Sequence, residues 1–159
     1  MFYIYEFILL IFIIFSPIFF LTRIISGKED PKRFLEKLCL YSKSRNVSKT
    51  IWFHGASIGE INSIIPIIKY FLKKNEDLKI LITSVTLSSS KIFENEFKKN
   101  KNIIHKYFPV DVPYLIRNFI KEYKPSLVVF VDSEIWPNCI VETKKKKYSY
   151  SSTKCKDNK

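Results

Sequence analysis

The sequence predicts an α/β fold: a Rossmann-like parallel sheet with flanking helices, preceded by an apolar N-terminal helix. Three patterns carry this expectation. Short apolar, β-branched or aromatic runs recur at 51–54, 79–83, 103–108 and 126–131. Between them lie stretches with apolar residues at helical spacing, the alternation that builds parallel sheets through right-handed crossovers. Ahead of them, residues 2–21 are almost wholly apolar, with Glu6 as the one charge.

The N-terminal run is the first element. Twenty helical residues at about 1.5 Å each match the ~30 Å hydrocarbon core of a bilayer. A cleaved signal peptide would want a basic leader and a small-residue cleavage site, and neither is present before Arg23. A core helix is the bland alternative, disfavoured because a short chain can hardly cover it on all sides. Residues 1–25 are therefore expected to be an uncleaved membrane anchor. Arg23, Lys28, Lys32, Arg33 and Lys37 follow it, which places the rest of the chain on the cytoplasmic side of the inner (plasma) membrane. Ser16 and Pro17 interrupt the run and leave a kinked or shallow, interfacial insertion open.

The remaining elements follow in order. Gly27 to Pro31 is a turn, and 32–40 a short helix. Residues 51–54 form the first strand. A helix from Glu60 to Lys74 carries the stripe Ile61, Ile64, Ile65, Ile68 and Leu72, with a kink at Pro66. Strand 79–83 is followed by a helix over 88–99 and strand 103–108. Asp111 is expected to cap a helix that has Pro113 in its first turn and ends near Tyr123. Strand 126–131 closes the pattern. The domain is bounded at 26–140, and 141–159 is expected to be a low-complexity, disordered tail.

Composition narrows the classes. The chain has 159 residues, enough for one domain with its own core, and 47% are hydrophobic against 26% charged. The net charge of +12 invites an acidic partner, but the 142–159 tail alone holds seven lysines against two acids. No nucleic-acid motif accompanies the charge. Three cysteines, Cys39, Cys139 and Cys155, without C-x-x-C spacing argue against a disulfide framework or zinc site, and no metal is expected.

Ligands of parallel sheets bind at the C-terminal strand edge, and two loops there stand out. The first is His54-Gly-Ala-Ser57-Ile-Gly59-Glu60 and the second Asp132-Ser-Glu134-Ile-Trp136-Pro-Asn138. Gly55 and Gly59 permit a tight turn and close approach. Glu60 at a helix start offsets the dipole, by about 0.3–1 kcal/mol, and taken alone that cap is the favoured reading. The loop is neither G-x-G-x-x-G nor a Walker A motif. A carboxylate from each loop would supply a general base and an electrostatic partner, against the alternative of a solvated turn closed by Pro137. His54 and His105, in strands, are read as packed residues without a metal role.

Taken together, the stretches 51–60 (Ile-Trp-Phe-His-Gly-Ala-Ser-Ile-Gly-Glu), 83–86 (Thr-Ser-Val-Thr), 108–113 (Phe-Pro-Val-Asp-Val-Pro) and 133–138 (Ser-Glu-Ile-Trp-Pro-Asn) resemble, in order and spacing, the N-terminal half of the 3-deoxy-D-manno-octulosonic acid (Kdo) transferases of lipopolysaccharide synthesis. The resemblance runs from the anchor to about Ile140. It implies the N-terminal, acceptor-side domain of a two-domain GT-B glycosyltransferase of the inverting type. Such an enzyme moves Kdo from CMP-Kdo to the lipid A precursor (lipid IVA) and needs no cofactor. By that resemblance Glu60 is the proton acceptor, Glu134 supports the transition state, and Ser57 and Gly59 contact the acceptor. A basic, membrane-apposed face suits a phosphorylated lipid. Departures are Asp132 in place of Glu, 87–89 in place of a Pro-Thr-Gly-like turn, Val110 for an aromatic residue and Cys39 for glycine. The family's nucleotide-binding second domain has no counterpart in the sequence, so the chain is expected to be a truncated, inactive fragment. The alternative is a non-catalytic membrane-bound remnant or acceptor-binding module.

Overall fold

A computed structural model of the chain describes residues 2–40, 50–131, 135–145 and 149–153; within these, side chains at 2, 3, 6, 10, 13 and 149–153 are excepted. Helix α1 (Phe2–Ile25) leads through a turn at Gly27 (φ +65°) into a 3-10 turn over Phe34–Leu38. The domain then runs β1 (Thr50–His54), α2 (Ile58–Lys74), β2 (Ile80–Ser84), α3 (Leu87–Phe97), β3 (Ile103–Tyr107), α4 (Pro113–Tyr123), β4 (Pro125–Val131), α5 (Pro137–Lys145) and β5 (Ser149–Thr153). The strand order is β3-β2-β1-β4-β5, and every pairing is parallel.

Alternation along each strand divides the core into two layers. Trp52, Leu81, Val128 and Phe130 face α4 and α5, where they meet Ile116, Phe119, Tyr123 and Cys139. Phe53, Ile80 and Ile82 face α2 and α3, where they meet Ile61, Ile64, Ile68, Phe93 and Phe97. The helical stripe read from the sequence is thus the buried face of α2. Pro66 sits inside that helix without a backbone N–H, but it and Asn62, whose carbonyl loses its partner, are both exposed to water.

The sheet turns at β1. The chain steps from β1 outward to β2 and β3, then returns to place β4 on the other side of β1. The helices that leave β1 and β4 consequently pack on opposite faces. The C-terminal edge at β1 is thus the switch point of the sheet, the place where a ligand crevice opens in folds of this kind.

The structure corrects several expectations. The helix expected over 32–40 is a 3-10 turn that Cys39 ends in the left-handed region (φ +55°). There the resemblance leads one to expect glycine, the residue that adopts this conformation without a Cβ clash. Asp111 does not cap α4, whose N-cap is Val112 without a side-chain bond. Past Ile140, where a tail was expected, α5 continues to Lys145 and β5 pairs with β4. Thr143 donates its hydroxyl to the Cys139 carbonyl at 2.7 Å and is buried, so the last turn is tied into the core.

The spanning helix is corrected too. The 24-residue α1 forms, but among the described residues no helix is long and apolar enough to cross a membrane. One face of α1 is folded onto the domain. Ser16 and Phe20 are buried, Phe20 packs on Phe34 (5.9 Å between centroids), and Tyr5 donates its hydroxyl to Asp111 at 2.8 Å. Its other face, with Ile4, Phe7, Ile11, Ile14 and Ile18, is bare among the described residues.

Candidate active site at the head of helix α2

Glu60 occupies the third position of α2, and Ser57 is the N-cap. The Ser57 Oγ accepts the Glu60 backbone N–H at 3.3 Å and donates to Glu60 Oε1 at 2.8 Å. The other carboxylate oxygen accepts the Ala56 N–H at 2.7 Å. This is a reciprocal capping box, in which the side chain returns to the turn that precedes the helix. Gly55 makes the turn possible. A Cβ there would stand 3.0 Å from Ile64 Cδ1 and 3.2 Å from Glu60 Cβ, so any larger residue would push α2 side chains aside by a few tenths of an ångström where the helix begins against β1. Gly59 has no such constraint, since an added Cβ would meet only Ser57 Oγ, at 3.9 Å. Ser57 and Gly59 are both exposed and Glu60 is half-buried. The predicted residues 57, 59 and 60 are therefore together at the crevice.

Behind them, the end of β1 is packed in aromatics. His54 is buried and lies 4.2 Å from the Phe108 ring centre and 6.1 Å from that of Trp136. Its Nδ1 is 2.8 Å from Thr83 Oγ1, which also accepts the Trp52 indole N–H at 2.9 Å. Burial pushes the His54 pKa down to about 3, so the ring is neutral at pH 7. Its Nε2 and the indole nitrogen of Trp136 have no hydrogen-bond partner among the described residues. His105, on β3, is likewise pushed down to about 3, first by burial and then by the Arg33 and Lys106 charges. Both histidines are packing residues, as the sequence suggested.

Asp111 is the residue that sequence reasoning placed wrongly. Its carboxylate accepts the backbone N–H groups of Asn138 (2.9 Å) and Cys139 (2.8 Å), at the start of α5. The Asn138 amide returns to the Asp111 carbonyl at 2.6 Å. The 108–113 motif and the described part of the second motif, 135–138, are thus one structural unit, with the first capping the helix that the second begins. The signal in the sequence was Asp in one motif and Pro-Asn in the other; nothing in their spacing links residues 27 apart. Burial raises the Asp111 pKa, and the bonds from Tyr5, Asn138 and Cys139 oppose it.

Asp132 and Glu134 lie outside the described residues. The flanking elements fix where their loop starts and ends. Phe130 pairs with His54 on β1, and Trp136 packs on Phe108 at 4.8 Å. Both flanks therefore lie at the sheet edge that also carries the head of α2. Among the described residues no cluster of three or more His, Cys, Asp or Glu could hold a metal.

A half-exposed carboxylate, oriented by an N–H and an O–H, can take a proton from a hydroxyl bound in the crevice. Each of its oxygens spends one lone-pair direction on the cap and keeps another.

The family model described as 3-deoxy-D-manno-octulosonic-acid transferase (kdotransferase) matches residues 32–153. A probable mitochondrial 3-deoxy-D-manno-octulosonic acid transferase of Arabidopsis thaliana is 32% identical over 75% of this chain and 26% of its own length. The 3-deoxy-D-manno-octulosonic acid transferase of Rickettsia bellii is 32% identical over 81% of this chain and 31% of its own. That of Haemophilus influenzae is 31% identical over 57% of this chain and 21% of its own. The chain thus spans only about a third or less of the relatives it matches. The match over 32–153, together with these relatives, leads to one conclusion: the chain belongs to the 3-deoxy-D-manno-octulosonic-acid transferase (kdotransferase) family.

Proposed function

We propose that this chain is the acceptor-side, N-terminal part of a GT-B glycosyltransferase that transfers Kdo with inversion, from CMP-Kdo to the lipid A precursor in lipopolysaccharide synthesis. The observation that carries the reading is the placement of Glu60 at the switch-point crevice, with its carboxylate oriented by Ala56 and Ser57. In the proposed reaction, Glu60 removes the proton of the acceptor hydroxyl as that oxygen attacks the anomeric carbon of Kdo. CMP leaves from the opposite face. Glu134, from the neighbouring loop, supports the developing positive charge on the sugar, and Ser57 and Gly59 line the approach of the acceptor. No cofactor or metal enters the scheme.

The bare apolar face of α1 lies in the membrane interface, at the cytoplasmic side of the inner membrane. Arg23 and Lys28 at its end attract anionic headgroups. The donor-binding portion is the part of the relatives that this chain does not match. A polypeptide of these 159 residues alone is inactive in this reading, because positioning of donor against acceptor is worth ~7–11 kcal/mol of the barrier.

The test is a chimera in which this chain replaces the matching region of the Rickettsia bellii relative, assayed with CMP-Kdo and the lipid A precursor. Release of CMP dependent on the lipid supports the reading. A folded chimera without transfer favours a non-catalytic acceptor-binding module.

A further inference from the structure

Between α1 and the sheet edge lies a cavity of about 380 Å³ that the catalytic reading does not use. Leu9, Phe12 and Phe20 form its α1 wall, and Val85, Val110 and Trp136 its domain wall. Its volume lies at the lower end of ordinary ligand sites, ~300–1,000 Å³. The polar groups at one end, Tyr5 and Asp111, already satisfy each other. An apolar cavity of this kind stays dry or takes an apolar guest.

Two observations identify the guest. Ile8 and Phe19 line the cavity and are also 58% and 42% exposed, so its mouth opens on the bare apolar face of α1. At the end opposite Tyr5, Arg23 and Lys37 both pair with one carboxylate, Glu29, at 3.1 and 2.8 Å, which leaves one positive charge over at that end, with Asp111, the carboxylate of the lining, at the other. We propose that this cavity takes one acyl chain of an anionic glycerophospholipid from the surrounding leaflet, with its headgroup phosphate against Arg23 and Lys37. The inference rests on the interfacial placement of α1 and is independent of the transfer chemistry. A bound chain would complete the packing between α1 and the two interlocked motif loops, and so couple membrane association to the order of the crevice.

The experiment uses the whole chain and vesicles of phosphatidylcholine with or without phosphatidylglycerol that carries a diazirine near the end of one acyl chain. After irradiation, labelled residues are located by mass spectrometry. The expected result is label on the domain wall, at Val85, Val110 or Trp136, as well as on the outer face at Phe7 and Ile14. Leu9→Trp, which fills the cavity from α1 and leaves the domain core untouched, lowers the domain-wall label at least ~10-fold (about 1.4 kcal/mol) with the outer-face label unchanged. Val110→Trp does the same from the opposite wall. Arg23→Gln removes the preference for phosphatidylglycerol over an equally tagged phosphatidylcholine. Label confined to the outer face overturns the cavity while leaving the interfacial helix intact. Domain-wall label displaced by an acylated glucosamine disaccharide, and not by excess phosphatidylglycerol, overturns the phospholipid in favour of the sugar acceptor. Failure of the chain to float with either vesicle overturns the membrane placement itself.

Discussion

Glu60 is asked to serve two purposes, and their energies can be separated. As a cap, its carboxylate accepts two bonds, from Ala56 N–H at 2.7 Å and Ser57 Oγ–H at 2.8 Å. Glu60→Gln keeps the shape and one carbonyl acceptor but turns an NH₂ toward the other donor. One bond worth ~1 kcal/mol is lost, together with ~0.3–1 kcal/mol of charge–dipole interaction, giving about 1–2 kcal/mol. For a chain of 159 residues this lowers the melting temperature by roughly 2–8 °C. Ser57→Ala removes the cap from the other side at a similar cost of ~1 kcal/mol but leaves the carboxylate in place. The two variants should therefore melt alike and react differently. In the chimera, Glu60→Gln should lower turnover ~10²–10⁴-fold, the usual worth of a general base, while Ser57→Ala should lose far less. The assay is lipid-dependent CMP release at a temperature below both melting points. If Glu60→Gln retains near-normal turnover, or if the two variants fall together in proportion to their stability, Glu60 is a helix cap and the proposed base must be sought elsewhere.

Acid should destabilise the fold early. His54 and His105 are held near 3 in the folded chain and return to ~6.5 when unfolded, so their neutral forms stabilise the fold above pH 6.5 and that stability drains as pH falls toward 3. Urea midpoints at pH 7.5 and 5.5 should differ by roughly 1.4 kcal/mol per histidine, partly offset at the acid end by Asp111, whose raised pKa works in the opposite sense; a flat profile refutes the buried-neutral assignment. Asp111→Asn should cost ~2–3 kcal/mol, since it replaces a carboxylate that caps α5 and receives the Tyr5 hydroxyl, and it should expose α1 to limited proteolysis; unchanged melting and cleavage would contradict the interlock. Gly55→Ala should cost ~1–3 kcal/mol through the 3.0 Å approach of its Cβ to Ile64, read as a drop in thermal midpoint. In spheroplasts of an intact inner membrane the domain should resist protease added from outside, and its digestion would reverse the proposed orientation.

Local chemistry made most of the sheet legible in the sequence. The β-branched runs, the Ile61–Ile64–Ile68 stripe and Pro113 at the start of α4 act within a turn or a strand, where each residue's neighbours are also its sequence neighbours. The Ser57–Glu60 capping box is local in the same sense, and the motif around it identified the family before any contact was known. Long-range pairing was decided only by the fold. Asp111 reads as a cap for α4, yet its carboxylate meets α5 because the segment after β3 crosses the ends of β2 and β1, where Phe108 packs on His54 and Trp136, to reach the start of α5. The polar stretch after Ile140 reads as a tail, yet β4 offers Ser149–Thr153 a parallel edge whose backbone pairing is indifferent to side-chain polarity. The first helix reads as a membrane span because apolarity is legible residue by residue. Which of its faces meets protein and which is left bare depends on Tyr5 finding Asp111 and Phe20 finding Phe34, partners that no periodicity in α1 could specify.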